Sequence, residues 1–267
     1  MTQGVTNARN SGPVSDPDDG VVPGIAGQDD QQSSVSKAAR LLRAFPRDGR
    51  SMTGVDLTRA AGLTKSTAHR LIHELEHEGL IQRDGSRWVL SWDVFELGMA
   101  ALRHQTDGLI TIARPWLVQA AGIDARSVIH LSMAHGEDVL LLDKVLTSKA
   151  PRIPTESGAR LPGATTASGQ ALGLGRGPAS TRMRSDVDRV TAWATARRLG
   201  VSVDHGETFE GIGCVAAPIK IRRRPVAAVS ISGRMEELDV RAHVQLVTWA
   251  ARRVSEELRR TRDGNAF

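Results

Sequence analysis

Four groups of side chains in this sequence have the types and spacing that chemistry requires. The first is Thr64, Lys65, Ser66 and Thr67, followed closely by His69 and Arg70. Short hydroxyls and cations at the start of a helix suit nucleic acid. The hydroxyls and the free helix N–H groups meet phosphates, and Arg70 is spaced for bidentate contact with guanine. Arg83 and Arg87 flank Asp84-Gly85 and would follow the adjoining phosphate backbone. The second group, His73-Glu74-Leu75-Glu76-His77, fits the H-E-x-x-H zinc pattern literally. It lacks a third ligand at a recognisable spacing, so no metal site is expected. The third is Cys214, the one cysteine. A nucleophilic thiolate needs an activating base or dipole, and proximity to His205 in sequence does not supply one. No catalytic residue is expected.

The fourth group points to a small-molecule pocket. In Ala228-Val229-Ser230-Ile231-Ser232 the twofold period of a strand puts Ser230 and Ser232 on one face, Val229 and Ile231 on the other. Beside a strand carrying Cys214, two hydroxyls on one face make a wall that can hydrogen-bond a ligand. Thr165-Thr166 can open a helix whose free N–H groups would receive a carboxylate, and Asp204 adds an acceptor for a ligand hydroxyl. Gly211-x-Gly213-x-x-Ala216 mimics a dinucleotide fingerprint but runs into a β-prone segment instead of opening a helix. No cofactor is expected.

These groups need elements to hold them. Val35, Ala38, Ala39, Leu41, Leu42 and Phe45 recur at helical spacing until Pro46. A second short helix, capped by Thr53, carries Val55, Leu57 and Ala60-Ala61 inward and ends at Gly62. A third runs from Thr64 to His77, with Ala68, Leu71, Ile72 and Leu75 on one face. Residues 80–83 and 87–90 then read as two strands around Asp84-Gly85, a hairpin signal. Two short helices joined by a glycine turn and followed by a hairpin make a winged helix-turn-helix. Its charge agrees, because residues 35–92 hold ten Lys and Arg against six acids.

A long helical stretch, Ser91 to Gly122, connects this unit to the rest and breaks near 106–108, with Pro115 suited to a first helical turn. Val94, Phe95, Leu97, Met99 and Leu102 make it the expected dimer contact. Beyond it the period becomes two. Strands are expected at 127–134, 138–145, 201–204, 212–221 and 225–232, with helices at 165–174, 185–199 and 236–261. That pattern is α+β with a mainly antiparallel sheet.

Composition bounds the rest. The 267 residues carry 35 Lys and Arg, 30 Asp and Glu, and 40% hydrophobic side chains, enough for two modest cores. A single cysteine excludes a disulfide framework and a Cys-rich metal site. The first residues have neither an apolar core nor a basic leader, and no run of about 18 apolar residues occurs, so a cytoplasmic protein without a membrane partner is expected. Residues 1–34 are polar, hold one Arg and five Asp, and read as a disordered tail.

The residues also resemble a known family. Ser36-Lys37-Ala38-Ala39-Arg40-Leu41-Leu42 and Gly62 through Ile72 look like the DNA-binding domain of IclR-type regulators. Leu141 to Val145, Gly158 to Pro162, Gly211 to Ile219 and Val226 to Gly233 extend the likeness in one order. The resemblance implies an α+β protein with an N-terminal winged helix-turn-helix, a linker helix and a C-terminal GAF-like antiparallel-sheet effector domain. On that basis the domains are expected at 35–90, 91–122 and 123–261, behind the tail. It implies that Thr166, Ala167, Asp204, Cys214, Ser230 and Ser232 hold the effector-contact positions. The partners implied are an operator in double-stranded DNA, a small carboxylate-bearing effector, and further copies of the chain in a homodimer or dimer of dimers. A regulator, most simply a repressor, is expected. The rivals are a sensing module without DNA binding and a metal- or cysteine-dependent enzyme. The chain departs from the family at Gly163-Ala164, where Leu-His is usual, and at Gln170, where Lys is usual. A small residue at 164 implies an altered pocket.

Overall fold

A computed structural model describes residues 33–106, 108–174 and 198–264. The tail expected at 1–34 and the helix expected at 185–199 lie outside the described residues except for the last two of each.

Local signals set the N-terminal elements. Ser33 caps α1 (Ser34–Ala44) by accepting the Ser36 N–H, and Thr53 caps α2 (Gly54–Ala61) by accepting that of Asp56. Gly62, at φ 60°, ends α2 in the left-handed conformation that glycine adopts without a Cβ penalty. Arg40 Nη2 donates to the Gly62 carbonyl at 2.9 Å, so α1 braces the turn that aims α3 (Lys65–His77). The hairpin β1 (Ile81–Asp84) and β2 (Arg87–Leu90) follows, Asp84 opposite Arg87. Met52 adds a bridge to Trp88 through two backbone hydrogen bonds of 2.9 and 2.8 Å. Leu41, Leu57, Leu71, Leu75, Ile81 and Trp88 close one core. Burial of each such aliphatic side chain is worth about 1.5–3 kcal/mol. Three apolar residues expected inside are outside: Val35, Val55 and Ala60 are exposed. Each lies at or near the first or last turn of a short helix, where the core covers only one stripe.

The connector divides as expected. α4 (Trp92–Thr106) stops before Gly108, which at φ 75° starts α5 (Leu109–Ile123). Pro115 does not occupy a first turn; it lies inside α5 as its seventh residue. Thr111 then lacks its usual N–H partner four residues on, a cost the buried face of Leu109, Ala113, Leu117, Ala120 and Ala121 offsets. α4 adds no side chain to any described core, and Trp92, Phe95 and Leu97 are 71%, 56% and 64% exposed.

The C-terminal sheet has six strands, wholly antiparallel, in the order β5-β4-β3-β8-β7-β6. They are β3 (Val128–His135), β4 (Asp138–Val145), β5 (Arg160–Pro162), β6 (Ser202–Asp204), β7 (Ile212–Ile221) and β8 (Arg224–Arg234). β5 was not expected from the sequence, since three residues carry no readable period. α5 and α7 (Val240–Gly264) cover one face, and their side chains join Ile129, Leu131, Val215, Val229 and Ile231 in the main core. The other face, beneath the short α6 (Ala167–Ala171), holds the pocket.

Candidate functional site

The recognition helix presents the expected residues at its start. Thr64 is the α3 cap, its hydroxyl accepting the Thr67 N–H at 3.4 Å and donating to the Thr67 hydroxyl at 2.9 Å. Lys65, Ser66, His69 and Arg70 are exposed, and Thr67 is half-buried. Arg70 Nη1 meets Glu74 Oε1 at 2.6 Å on the same helix face. An exposed pair of this kind is worth about 0–1 kcal/mol, so a guanine edge or phosphate can displace the carboxylate.

The wing arginines are held more firmly than the sequence suggested. Arg83 lies over the Trp88 ring at 4.1 Å and reaches Glu76 of α3 at 3.5 Å. Arg87 donates twice to the Ser51 carbonyl, at 3.2 and 2.9 Å, and once to its hydroxyl. Arg87 therefore ties the wing to the segment before α2 while remaining exposed. His73 of the H-E-x-x-H run packs edge-on against Trp88 and pairs with Glu76, while His77 turns to Glu78.

On the second face of the C-terminal sheet, strand register assembles the pocket. Asp204, Cys214, Ser232 and Val128 stand opposite one another across β6, β7, β8 and β3. One step along, Ala216, Ser230, His130 and Lys144 form a second row. Ser232 Oγ donates to Cys214 Sγ at 3.2 Å. All six residues that the resemblance pointed to, Thr166, Ala167, Asp204, Cys214, Ser230 and Ser232, line one cavity. The chain brings together positions 66 residues apart at the extremes. Its volume is ≈ 40 Å³, room for a few water molecules, so a ring-sized ligand requires the rim to shift.

The start of α6 and Asp204 both offer a ligand less than their residue types suggest. α6 has only five residues, and the Thr166 hydroxyl is already used by the Gly169 N–H at 3.1 Å. Its dipole is correspondingly small, and a carboxylate gains little from this helix start. Asp204 Oδ1 accepts the Gly206 and Glu207 N–H groups at 3.0 and 2.8 Å, leaving one oxygen for a ligand. Ala164, the departure expected to alter the pocket, is exposed and does not line it.

The electrostatics are those of a binding site, not a reactive one. Burial pushes the Cys214 thiol up to about 12, helped by the Asp204 charge, so the nucleophilic thiolate is suppressed. Burial, and then the Lys144 charge, lower His130 to about 3, so it is a neutral imidazole. His130 Nε2 lies 2.9 Å from Thr155 Oγ1, and Lys144 Nζ donates to the Ile153 and Thr155 carbonyls. His130, Thr155, Ser168, Thr208 and Phe209 line the cavity and were missed by sequence reasoning. His130 carried a signal, being a polar ring between the apolar Val128-Ile129 and Leu131 of a strand. Thr208 Oγ1 is buried without a partner among the described residues, a spare donor beside the cavity.

A β-bulge couples this pocket to the helices. Leu131 pairs with Asp143 but Ser132 with Leu141, so Leu142 is an extra residue. The alternation flips there. Val139 and Leu141 face the cavity, Asp143 turns to α5 and accepts Arg114 Nη1 through both oxygens at 2.7 Å, and Lys144 returns to the pocket side.

Known proteins agree with this division. Residues 34–85 match the IclR helix-turn-helix domain, and residues 189–257 match the bacterial transcriptional regulator IclR C-terminal domain. The chain is 32% identical over 221 residues to the glycerol operon regulatory protein of Streptomyces coelicolor, covering 77% of this chain and 86% of that one. It is 25% identical over 229 residues to the transcriptional repressor IclR of Escherichia coli, covering 78% and 82%. In fold it is similar to an IclR homolog from Microbacterium hydrocarbonoxydans solved with 4-hydroxybenzoate, with a TM-score of 0.67, 24% identity, and 85% of this chain and 99% of that one covered. The Thermotoga maritima IclR structure gives a TM-score of 0.63 at 23% identity, over 84% and 98%. A braced recognition helix, a wing and a separate sheet with an enclosed, unreactive cavity are the parts of a ligand-responsive DNA-binding protein, and the chain belongs to the IclR family of transcriptional regulators.

Proposed function

We propose that this regulator is a repressor whose grip on its operator changes when a small organic acid enters the cavity of the C-terminal sheet. The observation that carries this reading is the convergence of Thr166, Asp204, Cys214, Ser230 and Ser232 on one enclosed cavity. Its hydroxyls supply donors for a carboxylate, and the remaining Asp204 oxygen accepts a ligand hydroxyl. The 4-hydroxybenzoate bound by the Microbacterium homolog has both groups. Repression is supported by the E. coli relative, and a cytoplasmic location by DNA as the partner. The domain limits follow: winged helix at 35–90, linker at 91–122, effector domain at 123–261.

One observation favours a second reading. Among the described residues no cation lines the cavity, while Asp204 does, and the volume is small. A neutral polyol suits that chemistry, and the S. coelicolor relative regulates a glycerol operon.

Titration of the full chain with DNA from upstream of its own gene, at several salt concentrations, tests the proposal. Affinity is expected to fall log-linearly with salt as phosphate contacts release counterions. Arg70→Ala should cost about 1–3 kcal/mol of operator affinity and relax one base preference. Ser232→Val should leave operator affinity intact and remove the response to effector. A flat salt slope, or a variant Ser232→Val that responds normally, refutes the site assignments. 4-Hydroxybenzoate and glycerol, added separately, distinguish the two effector classes.

The same reading makes the chain a dimer or a dimer of dimers through α4. Support comes from its exposed apolar side chains Trp92, Phe95 and Leu97, which join no core among the described residues, and from the two half-sites that one short helix needs for adequate specificity. Phe95→Asp is expected to shift sedimentation toward the monomer and to weaken operator binding. A variant that sediments like the parent overturns the α4 assignment.

A further inference from the structure

A second concavity lies far from the effector cavity, on the α7 side of the sheet. It is bounded by the β7–β8 turn and the C-terminal half of α7, and its volume is ≈ 490 Å³, within the usual range for small-molecule sites. Five cations line it: Lys220, Arg222, Arg223, Arg252 and Arg259. No described lining side chain is acidic, and none of the five has a carboxylate within 4.0 Å among the described residues. Neighbouring arginines behave differently, since Arg253 pairs with Glu256 and Arg260 with Glu257. Arg252, Ser255 and Arg259 share one helix face by their spacing of three and four.

The turn is built against local preference to hold this charge. Arg222 and Arg223 are the two loop residues between paired Ile221 and Arg224, at φ 46° and 69°. Such turns favour Asn-Gly, because an L side chain in the left-handed region is strained. The sequence places two guanidiniums there instead, with Arg224 following. Among the described residues the five cations have no carboxylate partner, so their mutual repulsion favours an anionic occupant. The floor is apolar, with Val201, Pro218 and Ala251, and Thr248 contributes a buried Oγ1 that lacks a partner among the described residues.

We propose that this groove binds a nucleoside polyphosphate, with the phosphates on the arginines and the base against the apolar floor. The groove thereby gives the regulator a second small-molecule input, independent of the effector cavity. A bare DNA backbone uses the cations but leaves the apolar floor unfilled.

Isothermal titration of the full chain with guanosine triphosphate, without magnesium and at physiological ionic strength, tests this. One saturable site per chain is expected. The exposed double substitution Arg252→Ser/Arg259→Ser should weaken it about a hundredfold, since each charge-assisted contact is worth about one decade. Ser232→Val should leave it unchanged, and circular dichroism should show both variants folded. Inorganic triphosphate should bind more weakly; equal affinity overturns the nucleoside assignment. Absence of saturable binding, binding unaffected by the double substitution, or tight uptake of non-operator duplex that triphosphates do not displace would each overturn the proposal.

Discussion

Gly169→Ala should collapse the pocket rim and remove effector response while the helix-turn-helix remains folded. A Cβ at Gly169 would lie 2.0 Å from the Gly163 carbonyl oxygen and 2.5 Å from its Cα. Both are backbone atoms, so no rotamer change relieves the overlap. Gly163 is fixed in turn, because its own Cβ would meet the Glu137 carbonyl at 2.4 Å and Leu174 at 2.9 Å. The two segments must separate, carrying Thr166, Ala167 and Ser168 away from Cys214 and Ser230. The cost should exceed the ~1–3 kcal/mol of ordinary overpacking, where side chains can yield. Denaturant unfolding should show an early transition of the C-terminal core, which holds Trp116 and Trp249, ahead of the transition of the winged helix, which holds Trp88. Parental stability with a normal effector response would refute the close packing. Gly163 itself stands where the resemblance implies leucine, and here the Glu137 carbonyl and Leu174 fill the space that a side chain would take.

Stability should fall as pH drops from about 6.5, the ordinary histidine value, and His130 is the group responsible. Its folded value is lowered to about 3. A depressed value means that the unfolded chain takes up a proton that the folded chain refuses. The contribution is fully present above 6.5 and is lost progressively down to about 3. The expected slope is about 1.4 kcal/mol per pH unit in that window. Asp124 is also lowered, although desolvation alone would raise it, because hydrogen bonds from Ser127, Arg126 and His243 prevail. Its contribution likewise disappears on acidification, but only below the ordinary carboxylate value of 3.8, so His130 acts alone above that value. His130→Gln, which keeps a polar atom near Thr155, should flatten the slope between about pH 4.5 and 6.5. An unchanged slope would show that His130 is solvated or charged in the folded protein.

Much of this was legible beforehand because it is local. The caps at Thr53 and Thr64, the glycine turn at Gly62 and the Asp84-Gly85 hairpin are short-range signals, and each element formed where expected. Ser230 and Ser232 shared a face because strand period is set by the backbone alone. Failures arose where long-range contacts decide. The tie of Arg87 to Ser51 was not legible because the partner is 36 residues away. Pro115 read as a helix start because only tertiary packing, through Leu117 and Ala120, holds a helix through a proline. His130 and Thr155 escaped notice because they meet through a loop that has no period.

By itself the sequence determined the winged helix-turn-helix, the antiparallel sheet and the alternation that turns hydroxyls toward one face, since each follows from a repeat or a cap within a few residues. Tertiary structure alone decided what that face encloses. Register across four strands aligned Asp204, Cys214, Ser232 and Val128, and the bulge at Leu142 turned Asp143 toward Arg114 while Lys144 stayed with the pocket. Those choices depend on hydrogen bonds between strands distant in the chain, and a one-residue slip in any of them would send every side chain to the other face.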